Sequence, residues 1–458
     1  MPRFRIVQSS IPSPHQSGPQ IFLTCSESGV RSKERPLRTV APRVIRTMKT
    51  RLPIPRPIHP FPARMAPSII QRQLRSERSL RVVDPMVGSG TTLVTARLYG
   101  HQALGFDTDP LALLIAKAWS SDIDPERLRR LAARVLHDAR ARYRSITAGK
   151  AYPQGADQET RSFIRFWFGP TNRRQLSALA ASIASVRDAN ARALLWCSFS
   201  RMIITKGAGV SLAIDVSHSR PHRAHHIVPV KPFGKFPAAI EQVLRGANFS
   251  PGRQLPAAVV RRGDARVIPL EDNSVDMVIT SPPYLNAIDY LRGHKLSLVW
   301  MGHQVAALRK LRSSNIGSER FDSSKVAECH RFMGEKVVDS FADLPTRAQG
   351  MLTRYFGDMD RVLSEIGRIL TLTGTAVIVV GNSTIRGIFI NNSRVLTRLA
   401  RQNGMRLVSA RRRRLQENRR YLPPPTRMKA GAALKSRMSE EVILTFQKAP
   451  VLSGAGRS

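Results

Sequence analysis

Arg81-Val82-Val83-Asp84-Pro85-Met86-Val87-Gly88-Ser89-Gly90-Thr91-Thr92 is the stretch that decides the fold. It opens as a short apolar strand, turns through a proline and two glycines, and enters a helix that runs to Tyr99, with Gly100 as its stop. Gly88 and Gly90 allow a tight turn and let a ligand approach the backbone with no Cβ in the way. A phosphate-binding loop would need Gly-Lys-Ser/Thr at the helix start, yet Thr91 follows Gly90. A nicotinamide fingerprint would need a third glycine where Leu93 stands. The next strand, Gln102 to Phe106, ends in Asp107, close to the spacing of about 20 residues at which an acid meets ribose hydroxyls in nucleotide-binding α/β folds.

A second stretch carries chemistry. Val275-Asp276-Met277-Val278-Ile279 reads as a strand, and Thr280-Ser281-Pro282-Pro283-Tyr284 follows it directly. The two prolines fix φ at about −65° and remove two N–H donors, so the local carbonyls face the site as acceptors. Such a turn can cradle an NH₂ group, and Tyr284 can stack on the ring that bears it. In isolation the same residues also fit a plain turn with an exposed tyrosine.

Alternating strands and helices imply a mostly parallel sheet covered on both faces. Strands are expected at 81–84, 102–107, 258–262, 275–280, 374–381, 405–410 and 440–446. Between the second and third lies a largely helical insertion. It begins with a helix from Leu111 to Trp119, then Asp124-Pro125-Glu126, an N-cap with proline at the first helical position. Leu128, Leu131, Val135, Leu136, Tyr143 and Ile146 form one apolar stripe, and Leu176, Leu179, Ile183 and Val186 another. Both read as core, as does the aromatic run Phe163–Phe168.

Asp84–Thr92, Gly105-Phe-Asp-Thr-Asp-Pro110 and Thr280–Tyr284 together resemble the S-adenosylmethionine-dependent amino-methyltransferases of DNA, which modify cytosine N4 or adenine N6. The similarity extends to His59-Pro-Phe-Pro-Ala-Arg64, like the stretch that closes over the methionine end of the cofactor, and to Asn286–Arg292. The resemblance implies a Rossmann-like class I methyltransferase fold of seven strands, the last reversed, and S-adenosyl-L-methionine as cofactor. It places Phe61, Arg64, Asp84, Pro85, Gly88, Gly90 and Thr91 around the cofactor, Asp107 on its ribose and Asp264 on its adenine amino group. Ser281, Pro282, Pro283 and Tyr284 would be the catalytic residues. Each Asp also fits a helix cap or turn former, Asp109 and Asp264 most of all.

Composition fits a nucleic-acid substrate. Lys and Arg number 73 against 32 Asp and Glu, a formal charge of +41, and a field of that sign attracts polyphosphate backbones. Two basic segments stand out as nucleic-acid-binding candidates. One is Ser217–His226, with Arg220, Arg223 and four histidines but no cysteine or spaced carboxylate to complete a metal site, so no metal is expected. The other is Arg411, Arg412, Arg413 and Arg414 with Arg419 and Arg420, read as lying between the last two strands. No run of about 18 uncharged apolar residues argues for a membrane span. Cys25, Cys197 and Cys329 lack metal or disulfide spacing, so a reducing cytoplasm, close to the nucleoid, is the expected compartment.

The chain divides into a Pro-rich basic leader over 1–47, with Met48 as an alternative start; a cofactor-binding part over 48–120; the helical insertion, a target-recognition candidate, over 121–257; a catalytic part over 258–448; and a tail over 449–458. Expected partners are double-stranded DNA and a cognate restriction nuclease. Cytosine N4 is the preferred acceptor because Ser-Pro-Pro-Tyr is commoner in that subgroup. An adenine-N6 enzyme, an RNA N2-guanine methyltransferase and a non-catalytic nucleic-acid-binding protein are the alternatives.

Overall fold

The computed structural model describes residues 54–247, 254–285, 289–317, 344–385, 388–415 and 439–449. The leader, Cys25, Cys329, residues 286–288, Arg419 and Arg420 fall outside them. Seven strands share one sheet: β1 (Arg81–Asp84), β2 (Gln102–Asp107), β3 (Ala258–Arg262), β4 (Val275–Thr280), β5 (Leu370–Gly381), β6 (Met405–Arg414) and β7 (Glu440–Lys448). Their order in space is β3-β2-β1-β4-β5-β7-β6. Neighbours are parallel except at β7, which runs antiparallel to both β5 and β6. The expected Rossmann-like sheet with a reversed last strand is therefore present.

One expectation needs correction. Arg411–Arg414 do not lie between the last two strands; they are the end of β6, paired with Glu440–Ile443 of β7. β6 is one of the sheet's two outer strands, so backbone pairing holds it while most of its side chains meet solvent, and apolar periodicity does not reveal its length. Arg411, Arg412 and Arg414 are exposed and Arg413 is half-buried. Cations on an edge strand also discourage pairing with another chain.

Strand residues alternate between two cores, as a side-chain period of two requires. Val82, Val377 and Val379 pack with helices α1 (Pro67–Gln73), α2 (Thr91–Leu98) and α3 (Pro110–Trp119) on one face. Val83, Ala376, Ile378 and Val380 pack with α11 (Thr346–Ile369) and α12 (Asn392–Gln402) on the other. The inserted helices are α4 (Pro125–Ser145), α5 (Gln158–Trp167), α6 (Pro170–Ala184), α7 (Ala189–Ile203) and α8 (Pro232–Gly246). Their core is continuous with α3 and with α9 (Tyr290–Leu298) and α10 (Val305–Ser314), and Trp119 donates to the Gly246 carbonyl at 3.1 Å. Asp124 accepts from the Arg127 N–H and caps α4, whose Leu128, Ala132, Val135 and Ala139 are buried. Leu176, Leu179, Ile183 and Val186 are buried as expected. Phe168 is fully buried, whereas Phe166 keeps 51% of its surface exposed.

Gly90 is where β1 hands over to α2. Its φ is +88°, and a Cβ there would sit 2.9 Å from the Ala116 Cα of α3. Gly90→Ala should therefore lose about 3 kcal/mol, combining the left-handed penalty with overpacking. A urea unfolding midpoint equal to wild type would contradict this.

Candidate functional site

Chain connections run from β1 outward to β2 and β3 on one side, and from β4 to β5 on the other. The carboxyl ends of β1 and β4 therefore diverge at a switch point, where open α/β sheets leave a crevice. A cavity of about 500 Å³ lies there. Asp84 closes β1 and Ser281 follows β4, so the two sequence motifs face one space.

On the β1 side the glycine turn and Asp107 hold each other. The Gly88 N–H donates to Asp107 Oδ2 and the Asp109 N–H to Asp107 Oδ1, both at 2.9 Å. Asp84 accepts from the Met86 N–H at 3.2 Å. Burial pushes the Asp84 carboxyl up to about 6, partly offset by the Thr92 and Thr280 hydroxyls. Burial, then the neighbouring Asp109, pushes Asp107 up to about 7. Two carboxylates kept from water in this way suit a ligand bearing hydroxyls and an ammonium group, as the expected cofactor does. Phe61, Arg64, Pro85, Gly88 and Thr91 line the same cavity. A Cβ on Gly88 would come within 3.3 Å of the Phe61 ring, so the glycine keeps that gap narrow.

Asp264 also lines the cavity, but Arg266 takes both its oxygens, Nε at 3.0 Å and Nη2 at 2.6 Å. Burial opposes ionisation, and the Arg266 contacts outweigh it to hold this carboxyl below its ordinary range. Its turn-forming alternative is realised too, through the Arg266 N–H.

On the β4 side Ser281, Pro283 and Tyr284 line the cavity, while Pro282 is buried and is not among the lining residues. The Tyr284 hydroxyl donates to Glu441 Oε1 at 2.9 Å. Burial and the Glu441 charge raise the phenol well above its usual range, so it remains a donor.

Further residues from the stretches around these motifs complete the site. Tyr290 stacks on Phe61 with centroids 5.3 Å apart, and His294, one turn further along α9, meets Asp109 at 2.5 Å. Asp109 in turn caps α3 through the Leu111 N–H. His59 binds the Ser200 hydroxyl at 2.9 Å, and burial lowers its imidazole to about 3, keeping it neutral. Tyr290, Asp109 and His59 fall within the stretches that carry the family resemblance, whereas His294 has no such signal.

The basic segment Ser217–His226 contains part of a one-turn 3₁₀ helix, Val216–His218, and a short strand, His222–Arg223. Ser219 has φ of +56° and accepts from the Gly293 N–H, while a Cβ on Gly293 would lie 2.6 Å from the Val216 carbonyl. The loop is thus pressed onto α9, which carries Tyr290 to the cavity. Arg223 lies over the exposed Phe166 ring at 5.4 Å, and Arg220 stands one residue beyond Ser219. Among the described residues no group of three or more His, Cys, Asp or Glu could hold a metal ion, and no helix is long and apolar enough to cross a membrane.

The chain is similar to type II methyltransferases. It is 24% identical to the type II methyltransferase M.BsoBI of Geobacillus stearothermophilus over 57% of this chain and 54% of that one. It is 21% identical to the type II methyltransferase M.MvaI of Kocuria varians over 74% of this chain and 80% of that one. The match to the first spans about half of that relative's length. No family model matches the chain. Among solved structures, a SAM-dependent methyltransferase of Methanosarcina mazei aligns over 84% of this chain and 98% of its own, at 8% identity and a TM-score of 0.30. At that score the fold rests on the strand order above and not on the alignment.

Hydroxyl donors bind an ionised carboxylate better than a protonated one. With Asp107 titrating at about 7 and Asp84 at about 6, S-adenosylmethionine affinity should be full above pH 7 and fall as pH drops through both values. Asp107→Ala should cost about 1.5–3 kcal/mol of binding at pH 8, the scale for losing charge-assisted hydrogen bonds. Calorimetry tests both, and an affinity flat from pH 8 to 5.5 would remove Asp107 from the site.

Proposed function

We propose that this chain methylates an exocyclic amine in double-stranded DNA, with S-adenosylmethionine as methyl donor and cytosine N4 as acceptor. The observation that carries this reading is that Asp84, Asp107 and the glycine turn share one cavity with Ser281 and Tyr284. The similarity to two type II methyltransferases supports it independently.

When bound, the cofactor supplies an electrophilic methyl group on a sulfonium centre. Asp107 would hold its ribose hydroxyls, and Asp84, with the glycine turn beneath, would sit beside its methionine end. An exocyclic amine is a poor nucleophile because its lone pair is delocalised into the ring. Ser281 accepts from an N–H bond of that amine and favours a more tetrahedral nitrogen, which stabilises charge that develops only in the transition state, while Pro282, buried behind the cavity lining, stiffens the turn that presents Ser281. Orientation supplies much of the acceleration. A base within a duplex cannot enter a cavity of about 500 Å³ at the strand ends, so the target nucleotide is flipped out and packs on Tyr284. No cysteine lies in the turn, so the route is direct transfer and not the covalent one of cytosine C5 enzymes.

Cytosine suits Ser281 because a hydroxyl accepts from the N4 amine while donating to ring N3, whereas an ionised carboxylate only accepts. Digestion of the methylated DNA to nucleosides should yield N4-methylcytosine; N6-methyladenine would reassign the base. Tyr284→Ala should abolish turnover with cofactor binding retained.

Arg411, Arg412 and Arg414, with Arg220 and Arg223, are the proposed phosphate contacts. Replacing Arg411 and Arg412 should weaken binding to all duplexes alike and flatten the slope of log K against log salt by about 0.9 per lost contact. A changed site preference at constant slope would mean that they read bases.

A further inference from the structure

β7 is the reversed strand, so its first residues lie at the same edge as the last residues of the parallel strands. Glu441 pairs with Gly381, the final residue of β5, and on its other side with Arg413 of β6. Only 7% of Glu441 is exposed. A buried carboxylate is costly unless both oxygens are satisfied, and here they are used in different directions. Oε2 accepts from Arg413 Nη1 at 2.5 Å, and Oε1 accepts from the Tyr284 hydroxyl at 2.9 Å. Glu441 is not among the residues that line the cavity, so it reaches the site only through Tyr284.

We propose that Glu441, itself oriented by Arg413, is a positioning residue that fixes Tyr284 beside Ser281 for the flipped base. This rests on the methyltransferase reading above. With one face open to a substrate, packing on the other face alone leaves rotation about χ1 able to swing the whole ring. A charge-assisted hydrogen bond at the hydroxyl, on the axis of the ring, limits where its far end can go. Arg413 Nη1 holds the other carboxylate oxygen in turn, so Tyr284 inherits its place from the sheet itself. Arg413 is thereby drawn away from the phosphate contacts expected of the arginine run. Phenylalanine at 284 would offer the same stacking face without the anchor.

The test is a double-mutant cycle of Glu441→Ala and Tyr284→Phe, read as transfer of tritiated methyl from S-adenosylmethionine to unmethylated genomic DNA. Each single variant should lower kcat about ten-fold, the scale of one net hydrogen bond, with cofactor affinity and melting temperature close to wild type. The double variant should be no slower than the slower single, because both remove one interaction. Losses that multiply to about a hundred-fold would overturn the proposal. An unchanged rate in Tyr284→Phe would do the same, and that variant decides the matter alone if Glu441→Ala fails to fold. A fall confined to cofactor affinity would place Glu441 in ordinary support of the cofactor site, against the proposal. Wild-type protein that transfers no label to DNA would overturn the methyltransferase reading, and the role of Glu441 with it.

Discussion

The parallel pairing of β1 with β4 is the constraint on which the site depends. Val82 faces Met277 and Val83 faces Val278, joining segments 195 residues apart. Arg81 and Asp276 secure this register, the Arg81 N–H at 2.8 Å and its Nε at 3.1 Å from Asp276 Oδ2. A slip of one residue would turn every side chain of one strand to the opposite face. Val82 and Val83 would exchange cores, and Asp84 would no longer share a space with Ser281. The same register leaves the crevice, since the crossover helices leave these two strand ends in opposite directions.

Buried strands and their terminal motifs were legible in the sequence because both are local. β1, β2 and β4, apolar runs closed by a turn signal, have the expected limits, and so does the edge strand β3, where none of the five residues is buried. Asp84, Gly88, Asp107 and Ser281 sit where a strand ends, and topology alone carries them to the cavity. β6 was cut short because its last four side chains are cationic and an edge strand needs no apolar pattern. Glu441, His294 and Ser219 were not legible for another reason. Their roles lie in contacts to residues 157, 185 and 74 positions away, which no period or spacing encodes.

Electrostatically the molecule is divided. The chain carries a net charge of +41, yet the cavity is lined by Asp84 and Asp107, both raised by burial more than by any neighbour. The global charge acts at long range on a polyanion and is screened by salt. The two acids act at contact distance on a ligand that reaches them. These fields therefore need not compete, because one operates outside the crevice and the other within it. Arg266 shows the local balance, its guanidinium bridging Asp264 and Asp358 at 2.6 and 2.8 Å.

The arginine run of β6 shows why composition cannot assign a role. Its four members are chemically identical and consecutive, yet only Arg413 stands opposite Glu441 in the register. That placement turns one cation inward to neutralise a buried carboxylate at the cavity's edge of the sheet, while three remain at the surface. A strand of opposite direction was required, since a parallel β7 would have delivered its carboxyl-terminal residues there instead of Glu441. The reversal thus does more than complete the sheet: it supplies the acid that meets Tyr284.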